Sequence, residues 1–130
     1  AQGCCLGRPS LAPWAVTPPA SVQMQAGAAA GATFHPFVIY LGIWAVVAAW
    51  LALRLVPRAG ARGPAGFRIL LFATLFSAGR APLEWFRLPP PHLLGGLNLA
   101  QWEALGLTAV GAILLWRLGR QRGSGRPPMA

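Results

Sequence analysis

The sequence predicts an all-α protein, a polytopic membrane bundle with three transmembrane helices, and three observations carry that prediction. Of the 130 residues, 55% are hydrophobic and only 10% are charged, against roughly 25% charged in an ordinary soluble domain. The mean hydropathy is +0.53. Three apolar runs approach the roughly 20 residues that a helix needs to cross a bilayer.

The first run covers about Phe37 to Leu53, seventeen residues without a charge and apolar on every side, unlike the amphipathic helix of a soluble core. The second covers about Phe67 to Leu88 and is interrupted by Arg80, Glu84 and Arg87. The third covers about Leu99 to Leu118. Tryptophans 44, 50, 85, 102 and 116 include several near the ends of these runs, where indoles anchor helices to the interface. Residues 26–33 and 123–130 are rich in Gly, Ala or Pro and read as a surface connection and a frayed tail. The domain reading is an outward segment, 1–34, followed by a three-helix region with a cytoplasmic tail, 35–130. With no initiator Met, the chain reads as the C-terminal part of a larger domain.

The net charge of +9 comes from eleven arginines and two acids. They form no stripe with interleaved aromatics, so nucleic acid is not the expected partner. Eight lie at two places instead: Arg54, Arg58, Arg62 and Arg68 around the loop between the first two runs, and Arg117, Arg120, Arg122 and Arg126 at the C-terminal end. With three spans both places fall on one side, and the excess of arginine makes that side cytoplasmic.

The remaining arginines are Arg8, Arg80 and Arg87. At 100° per residue, positions 80, 84 and 87 fall within about 60° on one helix face. Glu84 is then expected between two guanidiniums, which keep unused donors suited to phosphate. Charges in an apolar helix cost roughly 2.5–3.5 kcal/mol each at the bilayer centre. Arg87, beside Pro89, reads equally as an interfacial anchor, and Pro82 is expected to kink the helix. Arg8 in the Gly7-Arg8-Pro9 turn offers a further phosphate-directed guanidinium. His35 lies at the mouth of the first run with Tyr40 a turn below, and a lone histidine there reads first as an interfacial residue. Cys4 and Cys5 stand without a CxxC or His-containing ligand set, so no metal site is expected. A strained vicinal disulfide is the other reading of the pair.

These residues, taken in order, resemble a known family. Gly3-x-x-x-Gly7-Arg8-Pro9, Pro13-Trp14-Ala15-Val16, His35-Pro36 with Tyr40, Gly79-Arg80-x-x-x-Glu84-x-x-Arg87 and Gln101 together resemble the C-terminal half of bacterial prolipoprotein diacylglyceryl transferases. The resemblance covers nearly the whole chain and is most specific over 79–87. It implies a multi-pass protein of the bacterial inner membrane with a cytoplasmic C-terminus. It also implies transfer of the diacylglyceryl group of phosphatidylglycerol to the lipobox cysteine of a prolipoprotein, with release of glycerol phosphate. By the same resemblance Arg80, Glu84 and Arg87 would be catalytic, and Arg8, His35, Tyr40 and Gln101 would bind substrate. The partners would be phosphatidylglycerol, the prolipoprotein signal peptide and membrane lipid, with no metal or organic cofactor. The alternative is a non-catalytic relative that binds anionic phospholipid or a membrane partner through the same cluster.

Overall fold

In a computed structural model, residues 6–56, 66–87 and 95–123 are described, the last three by their backbone alone. Cys4, Cys5, Arg58, Arg62 and Arg126 fall outside the described residues. The elements are α1 (Ala20–Gln25), α2 (Phe37–Leu55), α3 (Phe67–Leu83), a 3-10 turn (Glu84–Phe86) and α4 (Leu99–Gly123). Among the described residues there is no strand, only isolated bridges of Gly7 with Arg87 and of Pro9 and Val16 with Phe34.

α2 and α4 begin where the apolar runs predict. Among the described residues two helices, not three, are long and apolar enough to cross a membrane on their own: Phe37–Leu55 and Leu99–Arg120. The expected span from Phe67 to Leu88 is corrected. Its α-helix stops at Leu83 after 17 residues, about 25 Å at 1.5 Å per residue. Pro82 takes a backbone donor out of the last turn, and the chain tightens into the 3-10 turn before extending at Arg87.

That shorter helix is nevertheless the middle of the bundle, packed against both α2 and α4. Trp44 of α2 donates its indole N–H to the carbonyls of Leu75 and Phe76, 3.2 Å from each. Gln101, in the first turn of α4, reaches the Ala81 carbonyl near the end of α3, and Gly111 meets Thr74 lower down. These contacts make α3 antiparallel to both neighbours. Arg54, Arg68, Arg117 and Arg120 therefore gather at one end of the bundle. Arg8, His35, Arg80, Glu84, Arg87 and Gln101 gather at the other.

Size decides what faces inward. The buried helix positions include Ala48, Ala52, Ala104 and Gly111, while Ile43, Val46, Leu53, Leu107, Val110 and Ile113 are exposed. In water the opposite distribution is the stable one. In lipid, which is as apolar as leucine, helices associate by close approach of small residues. Gly79 shows how close: a Cβ there would collide with the Trp44 indole. The pattern is that of a helical membrane protein.

Candidate functional site

The N-terminal segment is laid across the end of the bundle by backbone bonds. Gly7 N–H donates to the His35 carbonyl (3.1 Å), Arg8 N–H to the Phe86 carbonyl (2.8 Å), and His35 N–H to the Arg8 carbonyl (3.0 Å). Gly7 is wedged so tightly that a Cβ would meet the carbonyls of both His35 and Phe86. Only glycine lets the chain pass there. The Arg8 side chain remains exposed, held beside the chain that leads into Arg87. Further out, Val16 and Phe34 exchange backbone bonds of 2.9 Å, and Phe34 is fully buried beneath them.

Within the expected trio, one pairing forms. Arg87 Nη1 lies 2.7 Å from Glu84 Oε1, and Glu84 is only 3% exposed. Among the described residues Glu84 forms an ion pair with Arg87 and none with Arg80. The reason is the turn. With three residues per turn, a 3-10 segment eclipses positions i and i+3, which stacks Arg87 over Glu84 instead of sharing Glu84 between two cations. Two groups are left over: the half-buried Arg80 guanidinium, without an ion pair among the described residues, and the buried Glu84 Oε2, without a hydrogen-bond partner.

His35 and Tyr40 come together through Pro36, which starts α2 between them. Their rings pack at 5.9 Å, and both meet Phe86 edge-on, at 5.5 and 5.9 Å. The Tyr40 hydroxyl lies 3.0 Å from His35 Nδ1 and accepts the indole N–H of Trp14 at 2.7 Å. These four side chains border an apolar groove of about 610 Å³ between the N-terminal segment, α2 and α3, which Ile43, Trp44, Val47, Gly79, Pro82 and Leu83 complete.

Gln101 is at the same end of the bundle, and its amide is engaged. Asn98 Oδ1 accepts the Gln101 N–H (2.8 Å), and Gln101 Oε1 accepts the Asn98 N–H (3.0 Å). This is a reciprocal helix cap. Its signal was present in Asn-Leu-Ala-Gln, a capping residue followed by Gln three positions on, and sequence reasoning passed over it. Trp14 was passed over as a site residue as well, because nothing in its local sequence shows that it reaches Tyr40.

The family model described as prolipoprotein diacylglyceryl transferase matches residues 1–117. The chain belongs to that family. It is 34% identical over 100 residues to a phosphatidylglycerol–prolipoprotein diacylglyceryl transferase of Prochlorococcus marinus, covering 68% of this chain and 33% of the relative. A protein of that name numbered 2 in Streptomyces coelicolor is 30% identical over 82% of this chain and 32% of its own length. One from Cutibacterium acnes is 31% identical over 92% of this chain and 39% of its own. The chain thus spans about a third of the curated relatives it matches. No solved structure gives a significant match.

Proposed function

We propose that this chain supplies the phosphate-facing end of a diacylglyceryl transferase, which moves the diacylglyceryl group of phosphatidylglycerol onto the lipobox cysteine of a prolipoprotein. The observation that carries the reading is the uneven trio. Glu84 holds Arg87, so Arg80 is left with its cationic fork unmatched at the same helix end. A half-buried guanidinium without an ion pair keeps donors for an acceptor, and a phosphodiester fits its two parallel N–H groups.

The chemistry asks for such a group. The cysteine thiolate attacks the glyceryl carbon, a C–S bond forms, and the C–O bond to phosphorus breaks. The electron pair leaves on oxygen, and glycerol phosphate departs with one more negative charge than the diester carried. Fixed cationic donors in a site shielded from water stabilise that growing charge. Arg80 would meet the phosphate, Arg87 would be aimed by Glu84, and Arg8, tied by its backbone to Phe86, would approach from the N-terminal segment. The apolar groove beside His35 and Tyr40 gives the lipid part of the substrate a surface of its own kind. Gln101 would keep α4 seated behind α3.

In the same reading the protein lies in the bacterial inner membrane with the Arg54, Arg68, Arg117 and Arg120 end in the cytoplasm. The site end then faces the periplasm, where prolipoproteins arrive. Trp50 and Trp116 sit under Arg54 and Arg120, at 5.5 and 4.0 Å from ring centroid to guanidinium carbon. That is the arrangement of interfacial anchors.

The test is complementation of a strain depleted of its own transferase, using the full-length protein. Arg80→Ala is expected to abolish lipoprotein modification at normal protein levels, and Arg80→Lys to restore little, because an ammonium lacks the planar fork. Normal modification by Arg80→Ala would reduce the cluster to an anchor. Retained binding of phosphatidylglycerol by a wild-type protein that transfers nothing would favour the non-catalytic relative.

A further inference from the structure

Trp14, Tyr40 and His35 form a chain of hydrogen bonds whose first link has a fixed direction. An indole N–H can only donate, so the Tyr40 oxygen is an acceptor in the 2.7 Å bond from Trp14. With that lone pair taken, the hydroxyl proton is free to point to the other partner in reach, His35 Nδ1 at 3.0 Å. A neutral imidazole that accepts at Nδ1 carries its proton on Nε2. When the hydroxyl proton is used in this way, the order is Trp14 N–H to Tyr40 O–H to Nδ1 of His35, with Nε2–H left as a donor on a residue that borders the apolar groove.

Two of these rings are held from the other side. Phe86 packs edge-on against both His35 and Tyr40, and its carbonyl takes the Arg8 N–H. His35 is thus packed against Phe86 and bonded to Tyr40, within the segment that also carries Arg8. Trp14 is the only member of the chain outside α2 and its entrance. It is 61% exposed, so the Trp14–Tyr40 bond is not a by-product of core packing. Among the described residues the Tyr40 hydroxyl is the acceptor of its N–H.

We infer that Trp14 is a positioning residue for the transfer reaction: through Tyr40 it holds His35 in the Nε2–H tautomer, so that the imidazole presents a hydrogen-bond donor to the ester-bearing part of the lipid at the groove. This rests on the transferase reading given above. It adds to that reading a residue that touches no reacting atom, and a defined donor where the sequence offered only a histidine.

The experiment uses the full-length protein with Trp14→Phe, Tyr40→Phe and the double variant, each carrying a ring in place of the one removed. With phosphatidylglycerol and a lipobox peptide, Trp14→Phe is expected to lower kcat about tenfold, the size of one lost hydrogen bond, with KM for the lipid within about twofold of wild type. Tyr40→Phe lowers kcat at least as far, and the double variant is no slower than Tyr40→Phe alone, because Trp14 acts only through the hydroxyl. An unchanged kcat for Trp14→Phe, or losses in the double variant that multiply, overturns the inference. A second readout needs no turnover: nitrogen-15 NMR of histidine-labelled protein, with the His35 signals found by comparison with His35→Gln. Wild type should show Nε2–H alone and Trp14→Phe a mixture of tautomers. The same tautomer in both, in a protein that transfers normally, refutes the positioning role and spares the transferase reading. The expected tautomer change in a protein without transfer supports the hydrogen-bond chain and overturns the role in the reaction.

Discussion

Arginine does two different things at the two ends of this bundle. At one end Arg54 and Arg120 lie exposed over Trp50 and Trp116, and no carboxylate is needed to hold them. Long side chains of this kind can leave the apolar region while their stems cover it. At the other end Arg87 is fixed on a carboxylate that is 3% exposed, and Arg80 is half-buried without a matching acid. Charge count sets the orientation but does not explain the difference in what the arginines do. Freedom does: the first set can follow the interface, whereas Arg87 is held on Glu84 where the backbone of Gly7, Arg8 and Phe86 converges. A held guanidinium is the one suited to catalysis, since donors fixed in advance need no reorganisation when charge develops.

The contact that holds the second end is also the place where the comparison breaks most readily. Gly79 immediately precedes Arg80, and a Cβ there would run into the Trp44 ring. Gly42, on α2, has nothing within 4 Å of the same added atom. Gly79→Ala is therefore expected to destabilise the bundle by about 1–3 kcal/mol through overpacking. Gly42→Ala should stabilise it by about 0.5–1 kcal/mol through helix propensity. Thermal unfolding of both variants in one detergent checks this, and equal shifts would mean that α2 and α3 do not meet at Gly79.

Much of this was legible in the sequence, and the failures have physical causes. Apolar runs marked the starts of all three long helices, because lipid imposes the same demand on every residue of a span. The side-to-side distribution of arginines anticipated which residues share an end. The run through 88 misplaced the end of α3, since hydropathy continues past Leu83 while Pro82 and the 3-10 turn end the α-helix. The same turn changed the site: regular helix geometry spaced Glu84 between two arginines, and the tighter turn gave it to one. Tyr40 and His35 were named through the family resemblance of the His35-Pro36 motif followed by Tyr40. Trp14 was out of reach of such reasoning, because its partner lies 26 positions away and only the folded N-terminal segment brings them together.

A smaller effect sharpens what holding means. Glu84 accepts one bond from Arg87, and its second oxygen has no partner. Glu84→Gln keeps an oxygen that can accept from Arg87 but removes the charge that strengthens the bond. Transfer by the full-length variant should fall about threefold to tenfold, the difference between a charge-assisted and a neutral hydrogen bond, at unchanged protein levels. Glu84→Ala, which leaves Arg87 unaimed, should fall further. A Gln variant as poor as the Ala variant would show that charge, and not the direction given to Arg87, is what the carboxylate contributes.

The smallest effect is expected where the arginines are free. Arg120 lies 4.0 Å from the Trp116 ring centroid, in the last turns of α4 and at the far end of the bundle from Arg80. Replacing it with Gln removes one cation–π contact, about 0.5–1 kcal/mol at an exposed site, and one positive charge among several that hold the same end to the anionic leaflet. Because the remaining arginines share that task, orientation is expected to survive. Transfer measured in membranes should stay within about twofold of wild type, which is less than the worth of a single such contact when it does not touch the reacting groups. The useful companion is Arg87→Gln, the same chemical change made at the held end, where Glu84 would lose its ion-pair partner while buried. If the two variants lose transfer equally, the ends do not differ in the way their geometry indicates, and arginine number alone accounts for both. If Arg87→Gln loses far more while Arg120→Gln is silent, the division of labour between a free end and a held end stands on function as well as on structure.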